Sequence, residues 1–191
     1  MQKIKAGKFD ITFYQTQDYD KNSVDNLPYD DVIIVENETF SKTLVAEIYD
    51  GVDINKVAFV VPYFTPSEFA VSAGDKVFLM FNDILCIFDP QGVKIVKEKR
   101  INPTGTMFGA YAYKDDFILY GEVEIYRIDR NLEVKWIFSA RDIFVRYEGD
   151  EPAFEMKEDR ICLYDFINHY YEIDYDGKLL LEKSANEDNL I

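Results

Sequence analysis

KVFLMFNDILCIFDPQGVKIVKE, residues 76–98, contains three apolar runs of strand length, separated by Asn82-Asp83 and by Asp89-Pro90-Gln91-Gly92. The same arrangement returns as DFILYGEVEIYRIDRNLEVKWIF at 116–138 and as RICLYDFINHYYEIDYDGKLLLEK at 160–183. In each copy the middle run ends in an acid, Asp89, Asp129 or Asp174, spaced roughly 40 to 45 residues apart, the period of a repeat architecture built from four-stranded units. The first strand of each unit is supplied from upstream, by SEFAVSAG at 67–74, MFGAYAYK at 107–114 and PAFEMKED at 152–159. The runs are rich in Phe, Tyr, Val and Ile, which suit a pleated, half-buried surface, and the connections are too short for crossover helices. Each copy is therefore expected to be an antiparallel meander.

The repeated acids read as turn formers rather than catalytic groups. An Asp side chain accepts from backbone two residues on, Pro90 presets φ, and Gly92 and Gly177 tolerate positive φ. In the middle copy Asn131 is expected to take the left-handed position. A further copy lies upstream: KFDITFY at 8–14 reads as its first strand, DDVIIVE at 30–36 as the second, LVAEIYDG at 44–51 as the third with Asp50 at its end, and KVAFVV at 56–61 as the fourth. Residues 17–28 would then be an insertion between the first two strands, and 184–191 a frayed tail. The fold class is all-β: a single domain over 1–191 of about four antiparallel four-stranded blades, with a first unit at 8–64 and three clear repeats at 65–183. Phe78, Leu79, Ile87, Phe117, Ile118, Ile125, Ile128, Ile161, Leu163 and Ile173 occupy equivalent apolar positions and should form the core.

A third strand ending in Asp, followed by a turn and Gly, resembles the pyrroloquinoline-quinone-type and WD40-type β-propeller repeats. The resemblance covers 65–183 more closely than 8–64. The Trp-Asp and Gly-His signatures are absent, and the single Trp, Trp136, falls in a fourth strand. The resemblance implies a blade fold and a scaffold that presents loops; it implies no activity and no cofactor residues. A small closed propeller and an open fragment both fit four such units.

Among the 191 residues, 36 Asp and Glu outweigh 21 Lys and Arg, a formal charge of −15 that repels phosphate backbones and anionic lipid. Nucleic-acid and membrane-surface partners are disfavoured, and a basic protein partner is favoured. The N-terminus has no apolar run of signal-peptide length, so the expected location is cytoplasmic. There, Cys86 and Cys162, each inside an apolar strand pattern, are expected to be buried free thiols.

No catalytic, cofactor or metal constellation stands out. His169, the one histidine, lies in the Ile167–Tyr171 turn without a nucleophile beside it in the strand order. Asp18, Asp20 and Asn22 imitate the start of a calcium loop, but Ser23 stands where Gly is needed and Tyr29 where a bidentate Glu belongs. Gly105 and Gly109 precede a strand, not a helix, and so do not make a phosphate cradle.

In a four-stranded meander the loops sort to two ends. One end collects Glu36, Glu38, Asp83, Glu122, Glu124, Glu148, Asp150, Glu151 and Asp165, approached by Tyr63, Phe64, Phe108, Tyr147 and Phe166; the other collects the mixed set Asp115, Asp116, Asp159, Lys76, Lys114 and Arg160. Aromatic anchors within an anionic rim suit a protein-binding face. The candidate binding residues are Tyr63, Phe64, Glu122, Tyr147, Glu148, Asp150, Glu151 and Asp165. The expected function is a non-enzymatic interaction module for a basic protein, with an immunity or antitoxin-like role as a special case. The alternative is a carbohydrate or other small-ligand site at the centre of the same face, with a carboxylate pair for hydrolysis.

Overall fold

In the computed structural model, residues 1–16, 28–35, 41–146 and 152–184 are described; they contain seventeen strands, β1 to β17, and no helix. The strands form one five-stranded and three four-stranded sheets. The chain divides into two compact units, residues 1–102 with 109–112, and residues 103–108 with 113–191.

The first sheet holds β1 (Gln2–Ala6), β2 (Phe9–Gln15), β3 (Asp31–Ile34), β4 (Ser41–Tyr49) and β5 (Ile54–Pro62), in the order β1-β2-β4-β5-β3. This corrects the strand assignment of the upstream copy. The first strand is QKIKA, too rich in lysine to register as an apolar run, and KFDITFY supplies the second. The DDVIIVE run is not a meander strand: β3 lies parallel to β5, pairing Asp31 with Val57 and Ile34 with Val60. Consequently the insertion falls between the second and third strands of the meander and contains β3; residues 17–27, with the calcium-like string, lie outside the described residues.

The three clear repeats match their expected strands closely. β6 (Ala70–Ala73), β7 (Lys76–Phe81), β8 (Ile84–Asp89) and β9 (Lys94–Arg100) form one antiparallel sheet. β10 (Met107–Tyr113), β11 (Asp116–Gly121), β12 (Glu124–Ile128) and β13 (Val134–Ser139) form the next. The last holds β14 (Phe154–Met156), β15 (Ile161–Tyr164), β16 (Tyr170–Ile173) and β17 (Leu179–Lys183). All ten expected core residues are buried.

The repeated acids do what the turn chemistry requires. Asp129 Oδ1 accepts from the Asn131 and Glu133 amides at 2.7 and 2.9 Å, and Asp174 Oδ1 from those of Asp176 and Lys178, both at 2.9 Å. Asp89 accepts from Gln91, and Asp50 from Val52 and Asp53. Each clear copy also carries a β-bulge immediately before its Asp, at Ile87/Phe88, Arg127/Ile128 and Glu172/Ile173, which strengthens local twist where the third strand enters the turn. Which residue takes the left-handed conformation differs from expectation. Gly177 does so at φ 81°, but in the middle copy it is Leu132 at 64° rather than Asn131, and in the first Val93 at 48° rather than Gly92. Leu132 is buried, and its packing offsets the steric cost of that backbone.

The first unit is packed with phenylalanine. Phe59 meets Phe88 edge-to-face at 5.1 Å and Phe13 meets Phe69 at 5.3 Å, within a cluster that includes Ile11, Leu44, Val57, Leu79 and Phe81. Gln2 stitches β1 to β6 by donating to the Ala70 carbonyl and accepting from its amide. Cys86 sits in this cluster, where burial pushes its thiol up to about 12 and leaves it unreactive.

The second unit combines an apolar cluster around Ile118, Ile125, Phe144, Leu163 and Ile173 with a polar network. Asp116, almost fully buried, accepts from Arg127 at 2.6 Å and Lys135 at 2.7 Å. Burial alone would raise its carboxyl, but those two hydrogen bonds outweigh burial and hold it below the usual range. Arg127 also donates to the Tyr175 carbonyl and faces the Tyr113 ring, which stacks on Tyr175 at 3.7 Å. Trp136 donates to the same carbonyl and covers Gly177 so closely that a Cβ there would lie 2.7 Å from the indole.

Candidate interaction surface

β5 stops at Pro62, whose ring removes a ladder donor, and the chain continues as Tyr63-Phe64-Thr65-Pro66. Three hydrogen bonds hold this loop: Thr65 Oγ1 donates to the Pro62 carbonyl at 2.9 Å, the Thr65 amide to the Tyr63 carbonyl at 3.1 Å, and Lys42 Nζ to the Thr65 carbonyl at 3.4 Å. Burial lowers the Lys42 pKa. Tyr63 and Phe64 are left outside, 58% and 71% exposed, their rings edge-to-face at 5.6 Å. At the same end of the first unit, Asp83 accepts from Arg100 Nη1 at 3.1 Å, so this expected rim acid is paired.

In the second unit the corresponding loops are built by the acids themselves. Glu124 accepts from the Thr104 amide at 2.8 Å, and Glu122 from the Thr106 amide at 3.1 Å. The intervening Gly105 has φ 88°, and a Cβ there would come within 2.7 Å of Glu122 Oε2. Thr104-Gly105-Thr106 is thus a backbone cradle for carboxylates of its own chain. Tyr126 also donates to Glu124, and burial together with that carboxylate raises the phenol.

Asp165 is fully buried, unlike the other described candidates. It accepts from the His169 amide and the Tyr171 hydroxyl, both at 2.8 Å, and lies 3.3 Å from His169 Nδ1. Burial and then Asp165 push Tyr171 up to about 12. The residue therefore closes the 165–169 turn from inside and presents no charge to solvent. The tip of that turn instead exposes Phe166 and Ile167, each 48% accessible. Ile167 escaped the sequence reading because isolated apolar residues in turns carry no periodic signal.

Tyr147, Glu148, Asp150 and Glu151 lie outside the described residues, as do Glu36 and Glu38. Of the eight candidate binding residues, the described ones are thus Tyr63 and Phe64 in the first unit and Glu122 and Asp165 in the second. Among the described residues no group of His, Cys, Asp and Glu is placed to hold a metal ion.

No protein-family model and no curated protein matches the sequence. Solved structures do match in fold. BBS1N, solved in complex with ARL6DN, superposes with a TM-score of 0.50 at 16% identity, over 75% of this chain and 49% of its own. The Pan2 WD40 domain of Neurospora crassa gives 0.48 at 16% identity over 64% and 39%, and BamB of Moraxella catarrhalis 0.46 at 6% over 81% and 64%. The chain spans less than two thirds of the length of each of these structures. With antiparallel four-stranded meanders whose third strands end in Asp-initiated turns, this chain is built of propeller-like blades.

Proposed function

We propose that the protein is a non-enzymatic interaction module that binds a basic protein through its loop end. The observation that carries this reading is the Tyr63-Phe64 pair: two large aromatic side chains left in water on a loop held by three hydrogen bonds. Ordered aromatics lose little entropy on binding and dominate interface energetics. The net charge of −15 supplies long-range attraction for a cationic partner. Glu148, Asp150 and Glu151 are assigned to steering, and Tyr147 to the anchor set. A role as the acidic neutraliser of a cationic toxin is the special case this charge favours.

The test is quantitative capture of basic proteins by the wild-type chain and by a Tyr63→Ala/Phe64→Ala variant, each partner identified and then titrated. A cationic partner whose dissociation speeds at least about tenfold in the variant supports the reading. Equal binding by both proteins overturns it. The same two exposed rings also offer stacking surfaces for a sugar, and glycan binding lost in the same variant would place the protein in that second class.

A further inference from the structure

β3 ends the first sheet, and its outer edge is unguarded. The strands that end the other three sheets are blunted. β9, β13 and β17 each leave one residue out of register with the inner neighbour, at Val96, Lys135 and Leu180, and each carries lysine: Lys94, Lys97 and Lys99 in β9, Lys135 in β13 and Lys183 in β17. Bulges twist an edge away and lysines make pairing costly, which is how sheets avoid adding a foreign strand. β3 has neither device. Its sequence is DVII, and its register with β5 runs from Asp31 opposite Val57 to Ile34 opposite Val60 without a shift.

In a parallel ladder alternate residues turn both backbone polar groups to the neighbour, and the residues between them turn theirs away. The Asp30 amide donates to the Lys56 carbonyl at 2.9 Å, so the amides and carbonyls of Asp31 and Ile33 face outward. Among the described residues no strand lies beyond them. Ile33 packs on the apolar cluster, whereas Val32 and Ile34, on the opposite face of the strand, are 37% and 53% exposed. Asp31 is exposed, and among the described residues no Lys or Arg pairs with it; Lys56 on the next strand is engaged by Glu47 at 3.1 Å.

We infer that β3 takes up an extended basic segment of a partner protein as an added antiparallel strand, with apolar residues beside Val32 and Ile34 and a Lys or Arg opposite Asp31. Main-chain hydrogen bonds to Asp31 and Ile33 supply affinity, and the side chains that alternate across the edge supply selectivity. Charge decides between occupants. A second copy of this chain brings its own −15, and pairing β3 with its own copy about Val32 sets Asp31 opposite Ile33 and Asp30 opposite Ile34, with no cation for either acid. A basic segment supplies that cation. The inference extends the reading of a basic partner to a second surface and stands on the strand edge rather than on Tyr63 and Phe64.

The experiment is titration of the full chain with acetyl-Thr-Val-Thr-Val-Lys-Lys-Thr-amide, read by amide chemical shifts and hydrogen exchange at about 150 mM salt to screen diffuse attraction. Run antiparallel to β3, its valines face Ile34 and Val32 and its first lysine faces Asp31. Saturable one-to-one binding is expected, with exchange of the Asp31 and Ile33 amides slowed at least about tenfold. Val32→Lys/Ile34→Lys, which guards this edge as the other sheets are guarded, should weaken binding at least about tenfold and leave the melting temperature of the free protein in place. Val134→Lys/Ile137→Lys on β13 should change it less than about twofold. So should Tyr63→Ala/Phe64→Ala, which separates failure at this edge from failure at that loop. Pro in place of the Thr that faces Ile33 removes the donor to its carbonyl and should abolish binding, and Glu in place of both lysines should weaken it at least about tenfold. Equal binding of the Pro peptide would show that charge rather than strand addition holds the probe, and equal or tighter binding of the Glu peptide would remove the basic occupant; either overturns the inference. No saturation by about 5 mM peptide would overturn it too. So would a dimer of the free chain that is lost in Val32→Lys/Ile34→Lys, which would give the edge to a second copy.

Discussion

The two units build the same kind of blade and bind blade to blade by different chemistry. In the first, Phe13, Phe59, Phe69, Phe81 and Phe88 interdigitate, none with a polar atom to satisfy. In the second, Arg127, paired with Asp116, faces the Tyr113 ring stacked on Tyr175, and the Tyr175 carbonyl accepts from both Arg127 and Trp136; Tyr120, Tyr171 and Tyr175 also donate, to the Phe144 carbonyl, Asp165 and the Lys157 carbonyl. An apolar cluster is tolerant of register and loses stability in proportion to volume removed. A polar network is specific in geometry and fails when one partner is missing. The difference teaches that blade fold does not dictate how neighbouring blades are fastened.

The largest effect should come from Ile128→Asp in the second unit, which puts an unpaired charge at a fully buried position. The cost of several kcal/mol is comparable with the whole stability of a domain, about 5–15 kcal/mol, so cooperative melting of that unit should vanish from a calorimetric scan. Survival of the melt would mean that the second unit is not packed through this strand face. Next, Phe59→Ala should cost the first unit about 3–5 kcal/mol by chemical denaturation, with a smooth loss and no change in pH dependence.

Arg127→Met breaks the network instead. It should destabilise the second unit by about 3 kcal/mol, because the Asp116 carboxylate keeps only Lys135. Since the folded Asp116 carboxyl is held below its unfolded value, its contribution is present above the ordinary carboxylate range and is lost as pH falls through the depressed folded value. Hydrogen exchange of second-unit amides should show that acid-side loss in the wild type and less of it in the variant. An unchanged pH slope would remove Asp116 from the account.

A smaller contrast separates two glycines at the same place in their turns. Gly177→Ala forces a Cβ into Trp136 at φ 81° and should cost about 1–3 kcal/mol, whereas Gly92→Ala, at ordinary φ, meets only side-chain atoms of Asp89 and Lys94 beyond 3 Å and should cost less, within about 1 kcal/mol. The smallest effect belongs to Tyr63→Ala/Phe64→Ala, where stability should move by no more than about 0.5 kcal/mol because both rings are already in water. A large loss would show that the pair is structural rather than an anchor.

Strand positions over 65–183, the turn function of the four acids and the buried face were all legible in the chain, because each depends on neighbours only a few residues away: alternation along a strand, an Asp bonding the amides just after it. Four outcomes belonged to tertiary structure. QKIKA became a strand because β2 pairs with it, and DDVIIVE went to a parallel edge because β5 had an open side, neither being visible in local hydrophobicity. The left-handed residue became Leu132 or Val93 where packing outweighed backbone preference. Acids that looked alike in the chain were given different tasks by what folded against them, Glu122 and Glu124 by the Thr104–Thr106 backbone, and Asp165 by Tyr171 and its own turn. Charge and turn chemistry are properties of a residue and its near neighbours; burial and pairing are properties of distant segments brought together, and those alone decided which carboxylates remain free to meet another molecule.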